Sequence, residues 1–235
     1  MTYSSRETVG RILTVFLKLS REGCEADVTR VAEEALVSKE LASEILRELS
    51  LKSPSNPRIE AALWALELGV DPEKVARLLD WREFEQAAAE AFKRAGYEVV
   101  RDLRFKTRGR RYQIDLLAYR RGIILLIDCK HWSKPPTPSE EEVIVEGQER
   151  RLKALAEALK EVGGDLETLL IPLVLTLYKP SRLEFGGHVF APISKLRGLL
   201  EYLESSYFTL RHESVKIPRR LSLGTLLERL KTRED

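Results

Sequence analysis

Apolar positions along the chain recur first at helical spacing, then at strand spacing, then at both in turn. Up to about residue 80 the helical stretches are short. Asp27 is placed to cap a helix carrying Val28, Val31, Ala32 and Ala35, and Ser38 to cap the next, with Leu41, Ile45 and Leu49 as its spine. Asn56-Pro57 and Asp71-Pro72 are further helix starts, where the missing proline N–H costs nothing. The 27–49 pair has the length of a helix-turn-helix, but its second helix mixes Lys39 and Arg47 with Glu40, Glu44 and Glu48. That charge mixture suits packing or a protein partner better than DNA reading.

At Asp80 the pattern sharpens. In "DWREFEQAAAEAFKRAG", Phe84, Ala87, Ala88, Ala91, Phe92 and Ala95 fall on one helical stripe. Asp80 with Glu83 fits a capping box, and Gly96 fits the stop. Strands are predicted over Tyr97–Arg101, Tyr112–Tyr119 and Gly122–Lys130, the last two joined by a hairpin turn at 120–122. A helix over about 140–162 ends at Gly163-Gly164. Leu169–Tyr178 and His188–Ile193 read as strands, and Ser194–Ser205 as a helix with Leu196, Leu199, Leu200 and Leu203 on one face. The expected fold class is α/β: an all-helical domain over 1–80, a mixed sheet flanked by helices over 81–205, and a basic extension over 206–235 that ends in a helix, "LGTLLERLK".

Composition narrows the class. The 235 residues are 43% hydrophobic and 32% charged, which suits a globular chain. No apolar run approaches a membrane span, and "MTYSSRETVG" lacks the basic and apolar regions of a signal peptide. Cys24 and Cys129 make no disulfide framework, so a cytoplasmic protein is expected, with no membrane. A single Asn and a single Met lean thermophilic. The net charge of +2 decides little, but between Arg101 and Lys134 ten Lys and Arg face three Asp. Such a run is either a solvated basic face or a surface for an anionic partner such as a phosphate backbone.

The candidate chemistry lies in "QIDLLAYRRGIILLIDCKHW", residues 113–132, where five aliphatics, Ile123 to Ile127, run into Asp128, Cys129 and Lys130. Alternation along a strand points Asp128 and Lys130 one way and Cys129 the other. A hairpin turn near 120–121 brings Asp115 to the level of Asp128. Two carboxylates at the end of a buried strand repel each other unless a hard divalent cation lies between them, and oxygen ligands of this kind suit Mg²⁺. Lys130 beside them is placed to hold a water or to offset charge on a phosphate. The plainer reading is a surface ion pair of Asp128 with Lys130 and an exposed Asp115. Gln148 and Arg151 share a face of the following helix, expected to be solvated. His188 and His212 have no clustered ligands and read as structural or exposed.

Asp115, followed thirteen residues on by Asp128-Cys129-Lys130, resembles the PD-(D/E)xK nuclease signature, with Ile114 in place of its proline. Upstream, "FEQAAAEAFKRAGYEVVRD" is similar to the leading helix and first strand of Mrr-type endonucleases and archaeal Holliday-junction resolvases. Glu85 stands eleven residues before Gly96, with Tyr97 after it, as in those families. The resemblance covers residues 81–205 and implies a restriction-endonuclease-like core acting as a Mg²⁺-dependent DNA endonuclease in repair, recombination or restriction, with Mn²⁺ as a substitute. It implies Asp115, Asp128, Glu85 and the carbonyl of Cys129 as metal ligands, and Lys130 as the residue that positions the attacking water. Arg101, Arg104, Lys106, Arg108, Arg110 and Arg111, read as a loop between the first two strands, would grip the DNA backbone. Trp132 is a candidate to stack on a base or to cover the sheet end. DNA, branched DNA included, a second copy of the chain, and a protein docked on the N-terminal helices are the expected partners. The rival expectation is a catalytically silent member of the same fold that binds nucleic acid or docks a protein.

Overall fold

A computed structural model describes residues 5–21, 26–53, 56–131, 136–177, 179–219 and 222–231. Cys24 and Trp132 lie outside these residues. The chain divides into two compact units, 1–87 and 88–235.

The first unit contains α1 (Arg6–Leu19), α2 (Val28–Ala35), α3 (Lys39–Lys52), α4 (Pro57–Glu67), α5 (Pro72–Ala76) and the start of α6 (Trp81–Arg94). Of the caps the sequence predicts, Asp27, Ser38 and Asp71 each accept a backbone N–H, whereas Asn56 makes no side-chain cap bond; Ser5, not foreseen, caps α1. Asp80 and Glu83 form the capping box of α6, with bonds of 2.8 and 2.9 Å. Glu83 is also held by Arg58, whose guanidinium donates in addition to the carbonyls of Leu17 and Leu78 and to Ser20. One side chain thus ties together the ends of three segments. The turn from α2 to α3 places Leu36 at φ 53° and leaves it 83% exposed.

The second unit is built on β1 (Glu98–Thr107), β2 (Arg110–Arg120), β3 (Ile123–Lys130), α7 (Pro138–Val162), β4 (Leu166–Thr176), β5 (Glu184–Phe185), β6 (His188–Pro192), α8 (Leu196–Ser206), β7 (Glu213–Ile217) and α9 (Leu223–Lys231). One seven-stranded sheet runs β1-β2-β3-β4-β6-β5, with β7 on β4. β1 to β3 form an antiparallel meander. Its turns place Arg108 and Gly109, then Arg121 and Gly122, at positive φ, the pairing that two-residue hairpins require. α7 then carries the chain across so that β4 lies parallel to β3. The far edge of β4 is shared: β7 pairs antiparallel with Leu166–Leu170, and β6 pairs parallel with Leu173–Thr176. This is the mixed sheet flanked by helices of a restriction-endonuclease-like core.

Two expectations need correction. The basic stretch 101–111 is not a loop but the tip of the β1–β2 hairpin, because Leu103 and Phe105 alternate with Arg104 and Lys106 and bury themselves while the charges stay exposed. The segment set apart as a tail is part of the core. Val215, Ile217, Leu223, Leu226, Leu227 and Leu230 are buried with Leu103 of β1 and Leu152, Leu155 and Leu159 of α7. Gly164 lets the end of α7 approach β7 closely; a Cβ there would fall 2.0 Å from the carbonyl carbon of Ile217.

Arg211 fastens the same region through salt bridges. It donates to both oxygens of Glu149 on α7, at 2.9 and 2.7 Å, and to Glu213 at 2.7 Å. His188, read as structural or exposed, is buried beside this cluster with Nδ1 3.2 Å from the Gly186 carbonyl.

Replacing a buried tail leucine should therefore act like a core mutation. Leu227→Ala is expected to lower the unfolding free energy of the second unit by about 2–5 kcal/mol, as a Leu-to-Ala change in a core does. Phe208→Ala, at a side chain 66% exposed, is expected to change it by less than about 0.5 kcal/mol. Urea denaturation followed by circular dichroism checks both.

Candidate active site

β2 and β3 stay paired as far as Leu116 opposite Ile127. One step further the facing positions are Asp115 and Asp128, and there a side chain replaces the ladder. The N–H of Cys129 donates to Asp115 Oδ2 at 2.9 Å. An interior N–H must find an acceptor, and this bond draws the Asp115 carboxylate in beside β3.

A second distortion accompanies it. On β1 the core-facing side chains are Val100, then Leu103 and Phe105; on β2 they are Tyr112 and Ile114, then Leu117 and Tyr119. The parity changes on both strands across Asp102 and Asp115, which lie between the paired positions Arg101–Leu116 and Leu103–Ile114. Asp102 takes up the change with φ 48°. Its carboxylate also holds Gln113 at 2.9 Å and Arg104 at 3.0 Å.

Asp128 is only 4% exposed. Lys130 Nζ lies 3.0 Å from its Oδ1 and 2.9 Å from its Oδ2, and only the first contact has hydrogen-bond geometry. Oδ2 is consequently a buried oxygen without a hydrogen bond. Arg151 Nη1, on α7, stands 3.9 Å from it. Gln148, one turn earlier on α7, is buried and donates to the carbonyls of Leu126 on β3 and Leu173 on β4 at 3.1 and 3.0 Å, while its own Oε1 has no partner. Buried polar atoms are nearly always satisfied. Gln148 Oε1, without a partner, and Asp128 Oδ2, met by an ion pair but no hydrogen bond, are oxygens that a cation, with its waters, would engage.

The electrostatics agree. Burial, followed by the negative charge of Asp128, pushes the Asp115 carboxyl up from 3.8 to about 6, against the opposing pull of the Cys129 N–H and Lys130. The pair resists holding two negative charges unless positive charge is added.

Of the residues expected at the site, the sheet brings together Asp115, Asp128, Cys129 and Lys130. Glu85 is half-buried on α6 in the first unit. Among the described residues no group of three or more His, Cys, Asp or Glu side chains stands together to hold a metal ion, so the donor set here is two carboxylates and backbone. Magnesium sites commonly use one or two carboxylates plus water and substrate phosphate, so these residues fit. Arg101, Arg104, Lys106, Arg108, Arg110 and Arg111 are all exposed on the hairpin. Arg108 pairs with Glu157 at 2.9 Å, and Lys106 lies directly opposite Arg111. Gln148 and Arg151, read as solvated, turn towards the sheet instead. The signal was present: Ile144, Gln148, Leu152, Leu155 and Leu159 continue a single helical stripe.

The raised Asp115 gives a sign-specific expectation for the metal-free protein. The native state keeps a proton that the unfolded chain releases near 3.8, so the contribution of Asp115 to stability falls as pH rises from about 4 to about 6. Asp115→Asn should remove that contribution. Denaturation of both proteins in chelator from pH 4 to 8 measures it as a difference between the two curves.

Residues 80–169 match a family model described as the nuclease-related domain, NERD. The match covers α6, β1 to β3, α7 and the start of β4, less than half of the chain. Among curated proteins none matches. Of solved structures, a protein of unknown function, AF1548, is similar with a TM-score of 0.31 and 16% identity over 62% of this chain and 64% of that one. VC1899 from Vibrio cholerae is similar with a TM-score of 0.36 and 13% identity over 86% of this chain and 52% of that one. The chain thus spans less than two thirds of either. A special closeness to Mrr-type enzymes or resolvases finds no support in these comparisons. The hairpin, the crossover helix and the carboxylate pair all fall inside the span that matches this nuclease-related model.

Proposed function

We propose that the second unit is a divalent-cation-dependent DNA endonuclease. The observation that carries this reading is the buried, unbonded Oδ2 of Asp128 next to a carboxyl that resists ionisation, inside a nuclease-related domain. Asp115, Asp128 and the carbonyl of Cys129 would hold Mg²⁺ or Mn²⁺. When bound, the cation supplies Lewis acidity at the phosphate and a more acidic water.

The chain supplies the rest. Lys130, whose ammonium stands 2.9 Å from Asp128 Oδ2, would orient the attacking water and offset charge on the phosphate. Water adds to phosphorus, the bond to the 3′-oxygen breaks and that oxygen takes a proton, leaving a 5′-phosphate and a 3′-hydroxyl. The exposed hairpin would grip the backbone. Lys106 and Arg111 face each other as like charges, an arrangement that a phosphate between them would relieve. Such contacts bind by charge and shape rather than by sequence. Cutting both strands would need a symmetric pair of chains. The mixed charges around the exposed Leu36 on the first unit suit a protein partner. Among the described residues no helix is long and apolar enough to cross a membrane.

A second reading, a silent binding module, is favoured by one observation: two rather than three acidic side chains converge. Plasmid nicking separates the two. With Mg²⁺ the wild type is expected to nick and chelator to stop it; Asp128→Ala is expected to lose at least about 100-fold in rate, as when a transition-state contact of several kcal/mol is removed, and to bind DNA as well as before. Nicking retained by Asp128→Ala would reject the enzymatic assignment.

A further inference from the structure

Two cations stand at Asp128, and they are not equivalent. Lys130 comes from the same strand and is committed to the carboxylate, at 3.0 and 2.9 Å. Arg151 comes from α7 and stops at 3.9 Å. A guanidinium acting as the counter-ion of a buried carboxylate closes to about 2.7–2.9 Å and forks across both oxygens. Arg151 does neither, although Oδ2 has no hydrogen bond. Gln148 pins α7 to the carbonyls of Leu126 and Leu173 one turn earlier, which fixes where the Arg151 backbone stands over the site. Among the described residues Arg151 makes no hydrogen bond, and its side chain keeps 29% of its surface open.

A half-exposed guanidinium with uncommitted donors thus faces the carboxylate pair. The two carboxylates and two cations balance in charge. A divalent cation would leave the site positive, which suits a phosphodiester. The planar fork of an arginine matches the two non-bridging oxygens of a phosphate, which the point charge of a lysine does not.

We propose that Arg151 is a substrate-binding residue that takes the non-bridging oxygens of the phosphate at the cleavage site. This rests on the nuclease reading above. The competing role, screening of Asp128 alone, makes different demands: it requires no contact with DNA and opposes cation binding.

The test compares wild type, Arg151→Ala and Arg151→Lys on a defined DNA duplex, with circular dichroism confirming the fold and Arg151→Gln standing in should the alanine variant fail to fold. Binding is measured by fluorescence anisotropy in chelator over a series of salt concentrations; cleavage is measured against substrate and against Mg²⁺. Arg151→Ala is expected to make the slope of log affinity against log salt shallower by about 0.9, one phosphate contact on B-DNA. It should also raise KM by roughly 10- to 100-fold, as loss of a charged hydrogen bond does. Arg151→Lys should restore the slope but only part of KM, and the Mg²⁺ concentration for half-maximal cleavage should not change. An unchanged slope and KM, together with half-saturation at lower Mg²⁺, would show a mere counter-ion and overturn the proposal. If wild type binds but never cleaves, the nuclease reading fails, and the salt slope alone still decides for or against phosphate contact by Arg151.

Discussion

The bond from the Cys129 N–H to Asp115 Oδ2 is the constraint on which the site depends. It stands where a strand-to-strand bond would otherwise be, and it substitutes a charged acceptor for a neutral one. The exchange holds a carboxylate inside the sheet, against Asp128, where neither would sit alone. The parity change across Asp102 and Asp115 is the backbone's accommodation, and the positive φ of Asp102 marks where the strain is absorbed.

α7 is held in place by two polar attachments set a single residue apart. Gln148 bonds to the carbonyls of two parallel strands, and Glu149 is forked by Arg211. Arg211 holds Glu149 down at about 2, so this attachment persists through ordinary acidity. Between them they tie the helix to the sheet, and so place the turn that carries Arg151.

Much of this was legible in the residues. The apolar stripe of α6, its capping box, the β2–β3 turn and the alternation that puts Asp128 and Lys130 on one side all follow from local rules, and the structure has them. Three things were not legible. The Arg101–Arg111 stretch was dense in charge, which hid a two-residue periodicity carried only by Leu103 and Phe105. β7 is five residues long and pairs with β4 across a long gap in sequence, and no local pattern specifies a distant partner. Gln148 is polar yet lies on the apolar stripe; a buried glutamine is rare, and its reason here is a pair of carbonyls that only the folded sheet brings together.

The shared edge of β4 has a consequence for how the protein comes to be made. Half of that edge is filled by residues 213–217, and the underside of the hairpin is closed by the leucines of α9. The nuclease-related span ends near residue 169, well before either is synthesised. A nascent chain that has just emerged through β4 therefore holds its carboxylates without the β7 strand and the α9 leucines that complete the sheet and its core.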